Sequence, residues 1–205
     1  MYHPTLDEVQ KLADQGNLVP IYRDTNADLE TPVSAYMKVA RGPYSFLLES
    51  VEGGNRIARY SFIGIEPYDV IRTGPGQSHG DVDPLVLLQK AMADVRIVGE
   101  PSGERFHGGA VGFLAYEVVR HFERLPTPGQ DPLGLPESVF MLTDTFLIFD
   151  HLLHTIRVVS HARLDGDVER AYRWLIENMH GDGRDPPPTR ERGWWEWLRE
   201  TVERL

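Results

Sequence analysis

The run SVFMLTDTFLIFDHLLHTIRVVSHA, residues 138–162, constrains this chain more than any other segment. It reads as two long strands with a turn near Asp150-His151. A short turn leaves its two strands antiparallel neighbours, whereas a parallel pair needs a long crossover. The same grammar recurs upstream, where strands over 44–52 and 57–65 flank Gly53-Gly54 as a hairpin turn. A third strand is expected at 68–73, and LVPIYRD (18–24) reads as a strand entry. Pro20 lacks a backbone N–H, which points to an edge or first-residue position.

Helical patterns interrupt the strands. Residues 5–15 carry Thr5 and Glu8 at capping-box spacing, an apolar face of Leu6, Val9, Leu12 and Ala13, and Gly16 as the stop. Thr31 reads as an N-cap with Pro32 in the first helical position. Asp83-Pro84 opens a helix with Leu85, Leu88, Met92 and Val95 at helical spacing. Residues 106–123 mix a glycine-rich strand with a short helix. A further amphipathic helix sets Val168, Ala171, Tyr172, Leu175 and Met179 on one side. Mostly antiparallel strands interrupted by helices indicate an α+β fold. Residues 1–182 form the expected domain and the Pro-rich stretch 183–193 a linker. Over 194–205, Trp194, Trp197, Leu198, Val202 and Leu205 share one face of an expected helix.

Composition narrows the function classes. There are 21 basic and 31 acidic residues, for a formal net charge of −10. That acidity argues against nucleic acid or anionic membrane as a partner. With no cysteine, the chain has no disulfide, thiolate metal site or cysteine nucleophile. No apolar run is long enough to span a bilayer, and the polar N-terminus is no signal peptide, so a cytoplasmic location is expected.

No self-sufficient catalytic constellation stands out. GPGQSHG (74–80) lacks dinucleotide-binding spacing and reads as a loop. HLLH (151–154), read on a strand, sends its histidines to opposite faces and makes no metal pair. DGDVE (165–169) lacks the later ligands of a calcium loop, so Asp165 or Asp167 is better explained as a helix cap. No catalytic residue and no metal ligand is assigned.

Glu49-Ser50 is the feature that local grammar does not explain. Both follow the apolar run Phe46–Leu47–Leu48. Buried carboxylates are costly unless paired. Two readings are open: Glu49 bridges to Arg56 or Arg59 across the hairpin, or Glu49 and Ser50 clamp the polar end of a small ligand inside an apolar lining.

Four segments, in order, carry a family resemblance: ADLETPVSAYMKV (27–39), YSFLLESVEGGNRIARYSFIG (44–64), GGAVGFLAYEVVRHFE (108–123) and DTFLIFDH (144–151). They resemble the N-terminal region of anthranilate synthase component I, which converts chorismate and an amino donor to anthranilate and pyruvate in tryptophan biosynthesis. Aminobenzoate synthase component I shares the glycine-rich and FDH segments. LLES followed by ARYSFIG favours the anthranilate branch.

The resemblance implies half of a four-layer α/β/β/α orthogonal sandwich. It also implies that the LLES segment contributes to an allosteric site for L-tryptophan. The implied contacts are Leu48, Glu49 and Ser50, with Arg59 and Ser61 as weaker candidates on the returning strand. Phe46, Leu48 or Phe62 would wall the indole. The family's chorismate and Mg²⁺ motifs lie in a C-terminal part that does not occur in these residues, so no cofactor is expected here and the chain alone is expected to be inactive. Implied partners are the chorismate-binding half and a glutamine amidotransferase subunit that supplies ammonia. A half-fold with open sheet surface could instead be a non-catalytic module that forms a homo-oligomer, and residues 194–205 are expected to cover part of that surface or dock on a partner.

Overall fold

The computed structural model describes residues 1–40, 42–49, 59–99, 106–126, 131 and 133–179. The linker and C-terminal helix expected over 183–205, the Gly53-Gly54 turn, Arg56 and Ser50 lie outside the described residues. The chain divides into two compact units. One comprises Met1–Glu66, Val95–His107 and the chain from Asp144 onward; the other comprises Pro67–Asp94 and Gly108–Thr143.

The first unit is built on a five-stranded antiparallel sheet. Its strands are β1 (Leu18–Asn26), β2 (Ser45–Leu48), β3 (Tyr60–Ile65), β7 (Thr145–Asp150) and β8 (Thr155–Arg163), in the order β1-β8-β7-β3-β2. Alternation along each strand separates two faces. Val19, Ile21, Ile63, Leu147, Phe149, Ile156 and Val158 form a buried core with residues of three helices. These helices are α1 (Leu6–Leu12), α2 (Pro32–Val39) and α4 (Val168–Met179). On the opposite face Phe146, Ile148 and Val159 pack with Tyr22, Tyr60, Phe62 and Phe106.

The local signals act as their chemistry predicts. Thr5 donates its backbone N–H to Glu8 Oε2 at 2.7 Å, closing the α1 capping box. Thr31 Oγ1 accepts the Ser34 N–H at 3.1 Å at the start of α2. Asp167 Oδ1 accepts the Arg170 N–H at 3.0 Å beneath α4, whereas Asp165 pairs with Arg163. Pro20 lies on the edge strand β1, as its missing N–H requires. Gly16 serves a different purpose from the one expected. Helix α1 ends at Leu12, and a Cβ at Gly16 would meet Val98 Cγ1 at 2.4 Å and Arg96 O at 2.5 Å. The glycine is there to let the 96–98 segment pass.

The second unit is a three-stranded antiparallel sheet in the order β4-β6-β5. Its strands are β4 (Asp69–Thr73), β5 (Gly109–Leu114) and β6 (Ser138–Thr143), accompanied by α3 (Pro84–Met92) and a 3-10 helix, Tyr116–His121. Thr73 Oγ1 and Ser138 Oγ are 2.7 Å apart in its interior. Asp83 Oδ1 caps α3 by accepting the Leu85 N–H at 2.9 Å.

Two strand expectations need correction. The run 138–162 contains three strands, not two: β6 pairs with β4 and β5, while β7 pairs with β3 and β8. The chain changes sheet at Asp144, inside the polar triplet Thr143-Asp144-Thr145, which sits between two apolar runs that read as one long strand. HLLH is not strand but the turn between β7 and β8, with His154 at φ 50°. The observed class is α+β, with antiparallel sheets flanked by helices. Among the described residues, no helix is long and apolar enough to cross a membrane.

Candidate functional site

Strand β2 forms the sheet edge opposite β1. Two devices hold it. On the helix side, Tyr36 of α2 puts its hydroxyl 2.6 Å from Ser45 Oγ. On the other side, Phe46 lies over its cross-strand partner Gly64, where a Cβ would come within 2.1 Å of the ring. Gly64 is therefore the seat of the Phe46 ring. Phe106 meets Phe62 and Phe146 edge-on, with centroids 5.3 and 5.1 Å apart, and Phe46 at 6.3 Å. These four rings make a continuous aromatic wall.

Leu48 pairs with Phe62 and shares that face. It is 43% exposed, an apolar side chain left open beside the wall. Strand β2 ends here, four residues short of the expected boundary. Glu49 therefore follows the strand and is exposed rather than buried. The register pairing Leu48 with Phe62 would, one residue on, set Glu49 opposite Ser61.

Arg59 and Ser61 are engaged elsewhere. Arg59 Nε donates to both Asp150 oxygens at 3.1 Å, and Nη2 donates to Oδ2 at 2.6 Å. The guanidinium also lies over the Tyr60 ring, 4.8 Å from its centroid. Asp150 Oδ1 accepts two further hydrogen bonds, from the N–H groups of Leu152 at 2.9 Å and Leu153 at 3.1 Å. Ser61 is fully buried on the helix-side face, with Oγ 2.8 Å from His151 Nε2. Local sequence had offered Glu49 as a partner for Arg59. Asp150 was missed, although an Asp at a strand end before a turn is a known signal for capping the turn's N–H groups.

Burial alone would raise the Asp150 pKa. The Arg59 hydrogen bonds and the Leu153 and Leu152 N–H groups outweigh it and hold the carboxyl below its ordinary range. A carboxylate depressed in the folded state contributes stability above its unfolded pKa and loses it as pH falls through the folded value. Asp150→Asn is therefore expected to lower the urea midpoint at pH 7, with the gap from the parent narrowing below about pH 4. A gap independent of pH would show that the charge on Asp150 contributes nothing.

Among the described residues, Asp81, His121 and Glu137 place ligand atoms within 4.8 Å of one another. Arg120 Nη1 lies 3.8 Å from Glu137 Oε1, and His121 Nε2 is 4.0 Å from each carboxylate. Mg²⁺ takes oxygen ligands in a tight octahedron. A histidine and a neighbouring guanidinium do not fit that requirement, and Arg120 already pairs with Glu137.

Residues 43–203 match the model of a family described as chorismate binding enzyme. Anthranilate synthase component 1 of Acetivibrio thermocellus is 36% identical over 200 residues, covering 93% of this chain and 40% of that protein. A probable anthranilate synthase component 1 of Schizosaccharomyces pombe is 39% identical over 182 residues, covering 85% of this chain and 36% of the relative. A solved structure of anthranilate synthase component I from Streptococcus pneumoniae covers 82% of this chain and 38% of its own, with 25% identity and a TM-score of 0.46. The chain thus spans 36–40% of the length of these two curated relatives. Matched over residues 43–203, it belongs to the chorismate binding enzyme family.

Proposed function

We propose that this chain is the regulatory part of an anthranilate synthase component I and supplies part of a feedback site for L-tryptophan. The observation that carries the reading is the β2 edge, where exposed Leu48 and Glu49 stand beside an aromatic wall. An amino acid effector presents an ammonium group that a carboxylate binds through a charge-assisted hydrogen bond. Its indole needs an apolar surface, which Leu48 and Phe62 offer on the adjacent face. Leu48, Glu49 and Ser50 are the proposed contacts, flanked by Arg59 and Ser61. The name component 1 on the relatives supports a second component, proposed to be an ammonia-supplying glutamine amidotransferase. Chorismate turnover and its Mg²⁺ are assigned to residues other than those of this chain.

Calorimetry with L-tryptophan tests the reading, using this chain complemented with the C-terminal part of the Acetivibrio thermocellus protein. Glu49→Ala and Ser50→Ala are each expected to weaken binding. Loss of a hydrogen bond to a charged group is worth about 1.5–3 kcal/mol, or roughly 10- to 100-fold in Kd. Undiminished binding in both variants would sink the site assignment.

A further inference from the structure

We infer that Arg59, Ser61, Asp150 and His151 form a latch on the entry of β3, and that Arg59 and Ser61 position the effector site rather than touch the effector. This rests on the tryptophan reading above and gives two of its flanking residues a different role.

The geometry has three parts. Asp150 and His151 are consecutive residues at the end of β7, and each holds a residue next to Tyr60. Asp150 accepts from the Arg59 guanidinium through three contacts of 2.6–3.1 Å. His151 meets Ser61 through its ring, and its backbone N–H donates to the Arg59 carbonyl at 2.9 Å. The Asp150 side chain is fixed in turn by the Leu152 and Leu153 N–H groups, so the anchor is the β7–β8 turn itself.

Position makes the latch consequential. Strand β2 is an edge strand whose strand neighbour is β3. The placement of Leu48 and Glu49 therefore follows that of β3. Tyr36 holds the other end of β2 through Ser45, and among the described residues the Leu48 end is held by its pairing with Phe62 of β3. Ser61 is fully buried, so an effector arriving from solvent does not reach its hydroxyl. The Arg59 guanidinium is already directed at Asp150 and stacked over Tyr60.

The two roles for Arg59 give different results in a double-mutant cycle. Arg59→Gln, Asp150→Asn and the double variant are compared for L-tryptophan affinity in the complemented protein, and for uninhibited anthranilate formation. A latch acts as a unit, so each single change is expected to raise the Kd by roughly tenfold and the double change by no more than that. The uninhibited rate stays unchanged. In the chain by itself, Asp150→Asn is expected to speed amide hydrogen exchange at Leu47 and Leu48 while leaving the other edge, β1, at its parental rate.

Direct contact by Arg59 would instead give a large effect for Arg59→Gln, none for Asp150→Asn and no coupling, and would overturn the proposal. Unchanged affinity in all three variants, with only the melting temperature lowered, would overturn it as well. Glu49→Ala separates the two levels. If it removes binding while the latch variants bind normally, the latch alone is wrong; if it and Ser50→Ala both bind normally, the effector reading fails and takes the latch with it. Arg59→Lys retains the charge and loses the forked contact, and serves if the larger changes prevent folding.

Discussion

Leu147→Ala is expected to destabilise the first unit by about 3 kcal/mol, within the range for large-to-small changes in a packed interior. Leu147 is completely buried in β7, with Val158 of β8 on one side and Ile63 of β3 on the other. Both neighbours are themselves fully buried, so the surrounding sheet has little freedom to close the cavity. For a chain of this size the loss corresponds to roughly 6–12 °C in melting temperature. Leu147→Met keeps the volume and should cost less than about 1.5 kcal/mol. Equal melting temperatures for the two variants would show that β7 is not the packed centre described here.

Gly112→Ala is expected to have an effect of similar size in the second unit, by a different route. A Cβ at Gly112 would lie 1.8 Å from the Val139 carbonyl oxygen and 2.8 Å from Phe140 Cα. Both obstacles are backbone of the neighbouring strand β6, so no side-chain rotation relieves them. The β5–β6 ladder must part locally, at about 3 kcal/mol. Gly166→Ala is the control: nothing lies within 4 Å of the added methyl, and its φ is outside the left-handed region. That change should be neutral or stabilising by up to about 1 kcal/mol. Thermal melts of the two variants decide the point; indistinguishable melts would refute the close approach.

Much of the local structure was legible beforehand. The caps at Thr5, Thr31, Asp83 and Asp167, the edge position of Pro20 and the apolar faces of α1 and α4 depend on neighbours within a few residues. Short-range chemistry of that kind is written in order along the chain. Glycines were harder to interpret. Gly16, Gly64 and Gly112 each make room for something distant in sequence, whether the 96–98 segment, the Phe46 ring or the β6 backbone.

The candidate site divides the same way. LLES was conspicuous because a carboxylate and a hydroxyl follow an apolar strand, and the family resemblance supplied a reason. The partner of Arg59 was not legible, because Asp150 lies 91 residues further along. The end of β2 at Leu48, which leaves Glu49 exposed, coincides with the end of the apolar run, although the hairpin pattern had extended the expected strand to residue 52.

By itself the sequence determined the kinds of element, their caps, the antiparallel grammar and the family to which the chain belongs. Tertiary structure decided which strands share a sheet, where the chain changes sheets at Asp144, and which charges Arg59 and Asp150 neutralise. The reason is physical. Helix caps and strand alternation are satisfied within a few residues, whereas sheet order and buried ion pairs are set by which distant surfaces exclude water together.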